Sequence, residues 1–441
     1  MSNKNIISDT FNVSGKRLGD FFKWLEALDN ATSFVATKCG SSIWYLQNGE
    51  ISEGKLSLVE YDGVTKHAPV KRYKYSLSSV EINTGGIVAS EEIRKNKTPL
   101  VRVPEVDSAL FIEEHLPMKL GYLLGFAGTV FDKQSPERDM FIASLFQNSK
   151  KDCTLVIREQ DGWKKIIDIR SKRYLPLPQT TLKTLYNEII SSTDWGVVDV
   201  SGWNIDHGVS YCDVFFPDLK EYFKEEYDLS RFMTPGIRLS TSSTGKGSMR
   251  VQELWLSESG RILEGEKFSR RHVGSKSIDV EFEAKKAVDE LTETCKTSVF
   301  SKYSAIPEAL SELFAIKVAN AGDIVTLKKV IRKVMTKVGI IKILGNNQRT
   351  SEIIENFAKS FILYDVSGYD LAMELLDFTS NESFKIAKSY KAMIDKCLLN
   401  VPSELLKFLK KSEKPTSKVF EDEDEDEDED KEEDLFDLFA S

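Results

Sequence analysis

Lys71-Arg72-Tyr73-Lys74-Tyr75 alternates cations with phenol rings. Ammonium and guanidinium groups meet phosphates and rings stack on unpaired bases, so this combination suits a single nucleic-acid strand. If the stretch is a strand, Tyr73 and Tyr75 share one face while Arg72 and Lys74 share the other. A second cluster gathers Lys164, Lys165, Arg170, Lys172, Arg173 and Tyr174 behind Trp163, and a third holds Arg270, Arg271, His272 and Lys276. Lys246 sits within a glycine turn and Arg250 follows it. The expected nucleic-acid contacts are therefore Lys71, Arg72, Tyr73, Lys74, Tyr75, Lys164, Lys165, Arg173, Lys246, Arg250, Arg270, Arg271 and Lys276. The competing reading of each cluster is a solvated strand face whose aromatic residues belong to the core.

Other chemistry finds less support. Thr244-Gly245-Lys246-Gly247-Ser248 is not a P-loop, because Ser240 stands where the first Gly belongs and Gly247 follows the Lys. An ordinary turn between GIRLS and MRVQELWL fits better, and it could still present Lys246 to a phosphate. His67, His115, His207 and His272 show no metal-ligand spacing, and no Gly-x-Ser-x-Gly or His-Glu-x-x-His occurs. Five scattered cysteines without a CxxC pair fit reduced thiols. No catalytic residue, metal or cofactor is expected, although a nuclease could hide paired acids among the many carboxylates of the body.

The elements that must position these residues follow from periodicity. Leu18, Phe21, Phe22, Leu25 and Leu28 predict a helix, with Ser14 as its cap. Short strands are predicted at 33–37, 42–46, 55–61 and 73–82, with hairpin turns at Asn48-Gly49 and Asp62-Gly63. CTLVI, KIIDI, WGVVDV, YCDVFF, GIRLS and MRVQELWL continue the pattern, with a helix near 182–190. Glycine then becomes scarce, and amphipathic segments around 305–319, 322–343, 349–362, 367–378, 383–398 and 403–411 predict helices. Within 322–343, Leu327, Ile331, Val334 and Val338 form an apolar stripe, and Lys329, Lys333 and Lys337 form a basic one. That basic stripe suits a DNA contact, a resting place for an acidic segment, or the wet side of a helix. The predicted fold class is α+β: a mainly antiparallel β body at 1–295, a helical domain at 296–411, and a linker with a disordered acidic tail at 412–441.

Charge is segregated along the chain. From Glu421 onward fourteen carboxylates face Lys431 alone, a net of −13, so the rest of the 441 residues carry +4 of the total −9. Such a run repels itself out of any helix or core. It ends in Leu435-Phe436-Asp437-Leu438-Phe439, apolar and aromatic residues that can anchor in a partner's groove. No apolar stretch is long enough to span a membrane, and the first residues lack a secretion-signal pattern, so a cytoplasmic location is expected.

The tail resembles the C-termini of bacterial and phage single-stranded DNA-binding proteins, which are acidic with a terminal aromatic; here Ala440-Ser441 follow Phe439. Leu435, Phe436, Leu438 and Phe439 also resemble the core of sliding-clamp-binding peptides, without their leading Gln. Arg238, Ser240, Gly245, Arg250, Arg271, His272 and Gly274 follow the pattern of a phage- and plasmid-borne family known only as a domain of unknown function. The usual Cys-x-Asn-Gly is absent, with Ser257-Glu258-Ser259-Gly260 in its place. That resemblance covers 236–290 and implies a mobile-element context. Together these readings imply a non-enzymatic protein for single-stranded DNA in replication or recombination. Its tail would compete with DNA for the basic body and recruit replication or recombination proteins through the tip. The alternative is a phage adaptor or structural protein whose tail docks a partner such as a sliding clamp.

Overall fold

Strand-forming runs rich in apolar residues build two sheets, with helices packed against each. The computed structural model describes residues 5–47, 55–61, 71–76, 100–107, 110–113, 116, 136–174, 176–229, 231, 233–242, 244, 248–270, 279–300, 305–380 and 386–412. In chain order the N-terminal elements are β1 (Asn12–Gly15), α1 (Leu18–Ala31), β2 (Thr32–Lys38), β3 (Ile43–Gln47), β4 (Lys55–Tyr61), β5 (Lys71–Ser76), β6 (Leu100–Arg102), β7 (Leu110–Ile112) and α2 (Pro136–Asn148). Then come β8 (Asp152–Gln160), β9 (Trp163–Ser171), α3 (Thr181–Ser192), β10 (Asp199–Asp206), β11 (Ser210–Phe215), α4 (Pro217–Glu226), β12 (Thr234–Thr241), β13 (Met249–Leu256), β14 (Ile262–Arg270) and α5 (Val280–Thr297). The C-terminal part holds α6 (Ala305–Phe314), β15 (Lys317–Ala319), α7 (Ile324–Lys337), α8 (Ile340–Leu344), α9 (Gln348–Lys359), β16 (Val366–Ser367), α10 (Gly368–Leu376), α11 (Lys388–Leu398) and α12 (Val401–Ser412).

The fold is α+β, with the helices concentrated in the C-terminal half. One sheet has six strands in the order β1-β10-β11-β12-β13-β14, and the other has eight in the order β2-β8-β9-β7-β6-β3-β4-β5. Neighbours pair antiparallel except β7 with β9. Asp161-Gly162 turns β8 into β9; both residues have positive φ, which a two-residue hairpin with matching twist requires.

Three expectations change locally, the first being the helix expected over 305–319, which ends at Phe314 and gives way to strand β15 at Lys317–Ala319. Ser14 lies inside β1 and does not cap α1, which starts after Arg17 without a side-chain cap. The strand expected over WGVVDV begins only at Asp199, and Trp195 packs edge-on against Phe216 at 4.8 Å and near Phe300 at 5.2 Å. The turns expected at Asn48-Gly49 and Asp62-Gly63 lie outside the described residues.

The six-stranded sheet and the C-terminal helices share one core. Trp203, Ile205, Val214, Leu239, Val251 and Trp255 of the sheet join Leu185 of α3, Leu291 of α5, Leu313 of α6, Ile331 of α7 and Leu405 of α12 in a single apolar cluster. The eight-stranded sheet has its own core, where Trp44, Leu155, Ile157 and Ile166 meet Ile142 and Phe146 of α2. Arg261, just before β14, and Asp395 of α11 form a buried ion pair, and Arg261 also donates to the Leu376 carbonyl, so the helical part is bound to the sheet by charge as well. Among the described residues no helix is long and apolar enough to cross a membrane.

Candidate nucleic-acid interface

Helix α7 is amphipathic because its apolar residues recur at helical spacing. Leu327, Val330, Ile331, Val334 and Met335 are buried, and Lys329, Arg332, Lys333 and Lys337 are exposed. Asp323 starts the helix by accepting the Thr326 N–H at 3.0 Å. Gly339, at φ 87°, ends it and redirects the chain into α8. Helix α12 packs against α7. It buries Val401, Leu405 and Leu409 and leaves Phe408 half-covered between the helices.

The seam is a groove of about 700 Å³. It is lined by Arg332, Lys333 and Lys337 on one side and by Phe408 and Lys411 on the other, with Glu404 among them. The Lys333 ammonium sits 5.3 Å from the centre of the Phe408 ring. A cation over a ring face is attracted by the ring quadrupole, which draws Lys333 toward Phe408.

Charge decides what this groove can take. Glu404 is occupied by Lys407 at 2.6 Å. Arg332 donates to neutral oxygens, Ser351 Oγ at 2.9 Å and Asn346 Oδ1 at 3.4 Å. Among the described residues Arg332, Lys333, Lys337 and Lys411 have no carboxylate partner, whereas Lys328, Lys359 and Lys410 do. Lysines in last turns offset the negative ends of helix dipoles, but each such end carries only about half a charge. Two helix ends therefore leave most of the four cations uncompensated. A groove with surplus positive charge and an accessible ring can hold a phosphate backbone and stack a base.

The clusters expected from sequence do not merge. Lys71, Arg72, Tyr73, Lys74 and Tyr75 lie on β5, which among the described residues pairs only with β4, at the edge of the eight-stranded sheet. Lys164, Lys165 and Arg170 lie on β9, five strand steps away, or about 24 Å. Lys165 is not a surface cation. It is 1% exposed, and its ammonium contacts Asp9 at 2.7 Å. Lys164 reaches Glu159 at 3.6 Å, Arg170 holds Asp168 at 2.6 Å, and Lys172 holds Asp152 at 2.6 Å. Arg173 is exposed. Arg270 faces α5, where Glu290 lies at 3.0 Å and Glu283 at 3.6 Å. Arg250 is half-buried on the polar face of β13 and donates to Ser248 Oγ at 3.0 Å. Lys246, Arg271, His272, Lys276, Leu435, Phe436, Leu438 and Phe439 lie outside the described residues.

Beside Arg250, Arg238 makes a two-pronged contact to Asp213 at 2.7 and 2.8 Å, reaches Glu264 at 2.7 Å, and lies over the Tyr211 ring at 4.7 Å. Burial pushes its guanidinium down, but Asp213 and Glu264 outweigh this and hold it above its ordinary value. That charge is internally neutralised. The β9 cations border a similar polar seam. Arg158, wholly buried, donates to His207 Nδ1 at 2.8 Å, and His207 Nε2 donates to the Ser8 carbonyl at 2.5 Å. Burial drives Arg158 down to about 10, against the attraction of Asp206 and Asp29.

Sequence reasoning marked the Lys329, Lys333 and Lys337 stripe but placed none of it among the expected contacts. Phe408 and Lys411 carried no local signal, because they reach Lys333 only through packing of helices some seventy residues apart. Comparison with protein-family models, with curated proteins and with solved structures finds no match to this chain.

Proposed function

We propose that this protein binds single-stranded DNA with little sequence preference, using the α7–α12 groove as a principal contact and strand β5 as a second. It acts as a binding protein, not as an enzyme, in phage or mobile-element replication or recombination within the cytoplasm. The observation that carries this reading is the set of four cations without carboxylate partners beside the half-covered Phe408 ring. Cations alone would hold duplex and single strand alike; the ring favours a strand whose bases are unpaired. The tip residues Leu435, Phe436, Leu438 and Phe439 then serve partners, with a sliding clamp suited to the Leu-x-Leu-Phe pattern. The resemblance of 236–290 to mobile-element proteins supports the biological setting.

Fluorescence anisotropy with single- and double-stranded oligonucleotides of equal length, at two salt concentrations, tests the proposal. Tighter binding of the single strand is expected. Three to four neutralised phosphates predict a log-log salt slope of about −2 to −3. Equal binding of both forms, or no salt dependence, defeats it.

A further inference from the structure

We propose that the polar face of the six-stranded sheet is a further ligand surface, a platform that takes one polynucleotide strand laid across β10 to β13 with a base stacked on Tyr211. It rests on the ligand proposed above, a single strand, but on none of the groove's residues.

The two faces of this sheet are unlike. Trp203, Ile205, Leu239 and Val251 point into the apolar core, so their neighbours in sequence point the other way. On that side strand pairing lines up Ser14, Asn204, Tyr211, Ser240, Arg250 and Ser269 in one row across all six strands. Asn204, Tyr211 and Arg250 are half-buried and Ser240 is buried. The adjacent row carries Asp213, Arg238 and Gln252.

The rows differ in what their polar atoms already do. Arg238 is tied to Asp213 and Glu264, and Gln252 donates to Glu264 at 3.1 Å, so the second row is satisfied internally. In the first row the Asn204 amide and the Tyr211 and Ser240 hydroxyls make no hydrogen bond among the described residues, and Arg250 uses only Nε, toward Ser248 Oγ. Partly covered polar groups need partners, and here the protein supplies none.

The satisfied row also prepares the ring. The Arg238 guanidinium lies over Tyr211 at 4.7 Å, and its bonds to two carboxylates hold it in place. A ring backed by a fixed cation on one face is pre-set to stack a base on the other. Charge selects the ligand. The first row holds a guanidinium and no carboxylate. Asp213 and Glu264 are neutralised by Arg238, and Asp206 on the same side of β10 accepts the Gly208 and Val209 N–H groups in the following turn. Arg250 lies two strands from Tyr211, about 10 Å, so a phosphate on one and a base on the other belong to a strand crossing the sheet. From Asn204 to Arg250 is three strand steps, about 14 Å. Sheets of comparable width stack two or three bases.

Ultraviolet cross-linking of the full-length chain to a thymine-rich DNA strand, and to the matching uracil-rich RNA, reads the platform directly, because only a side chain touching a base is joined to it. Peptide mass spectrometry should place an adduct on Tyr211 with at least one of the two, and the stronger signal tells which. In anisotropy titrations Tyr211→Leu should weaken that strand about 5- to 150-fold, the contribution of one stacked base. Tyr211→Phe keeps the ring and should bind within about twofold of the parent. Arg250→Gln should make the log-log salt slope shallower by about 0.7, one phosphate contact on a single strand. If Tyr211→Leu does not fold, the adduct on the parent and the Arg250→Gln slope still decide. No adduct on Tyr211 with either strand, an unchanged slope in Arg250→Gln, unchanged affinity in Tyr211→Leu, or an equal loss in Tyr211→Phe would each overturn the inference. Phe408→Ala separates the two sites. Normal binding there with loss in Tyr211→Leu leaves the sheet standing and the groove refuted, and the reverse pattern refutes the sheet alone.

Discussion

The cations of β8 and β9 and those of α7 look alike in sequence and do opposite things. Arg158 and Lys165 face the N-terminal segment, where Phe11 lies 5.6 Å from the Arg158 guanidinium, Asp9 meets Lys165, and the Ile6 N–H donates to Gln160 Oε1 at 2.6 Å. They cement a polar seam between the two cores. Arg332, Lys333 and Lys337 are exposed and form no ion pair with a carboxylate among the described residues. A positive charge can contact a ligand only if the fold has not already neutralised it, and no count of Lys and Arg along a chain reveals which have been.

Removing one member of a buried pair tests the contrast most severely. Lys165→Met leaves the Asp9 carboxylate in the seam without its ammonium, so unfolding free energy in urea should drop by about 3–5 kcal/mol. Lys333→Met and Lys337→Met should each stay within about 0.5 kcal/mol of the parent. A comparable loss at both sites would erase the distinction. Arg261→Met should also cost about 3–5 kcal/mol, and adding Asp395→Leu should recover much of it, because the stranded carboxylate is then gone.

Binding should respond in the reverse order. Phe408→Ala is expected to weaken single-stranded DNA by roughly 1–3 kcal/mol, the contribution of one stacked base, with little effect on duplex affinity. Lys333→Ala combined with Lys337→Ala should make the log-log salt slope shallower by about 1.4, as two phosphate contacts are lost. An unchanged slope would return these lysines to the wet side of a helix.

The smallest expected effect is on pH dependence. Burial pushes the Asp395 carboxyl above the usual range, against Arg261 and Thr379. Because the folded value is raised, the folded state binds the proton more tightly. This contribution is fully present below the unfolded value near 3.9 and is lost as pH rises through the raised one. Urea midpoints across that window should therefore decline less steeply with pH in Asp395→Asn than in the parent.

Much of the architecture was legible in the chain. The helix from Leu18, the strands built on CTLVI, KIIDI, GIRLS and MRVQELWL, and the helical C-terminal half all follow from periodicity. Strand β14 and helix α2 were not anticipated. ILEGEKFSR carries Gly265 within it and lacks clean alternation, and PERDMFIASLFQN has only a weak amphipathic pattern. The candidate site was half legible: the lysine stripe of α7 was visible, but its opposite wall on α12 was not. Adjacent Lys164 and Lys165 on a strand point to opposite faces, and the N-terminal segment covers only the Lys165 side here, while Lys164 stays half-buried.

What the sequence determined by itself is local: periodicity sets the elements, and composition sets the segregation of −13 in the last residues from +4 in the rest. Tertiary structure alone decided which cations are free. Helical spacing places charges on a face within a few residues, but whether a carboxylate meets that face depends on segments remote in the chain, such as Asp9 for Lys165 or α12 for α7. Coulomb interactions act through space, and the fold fixes those distances.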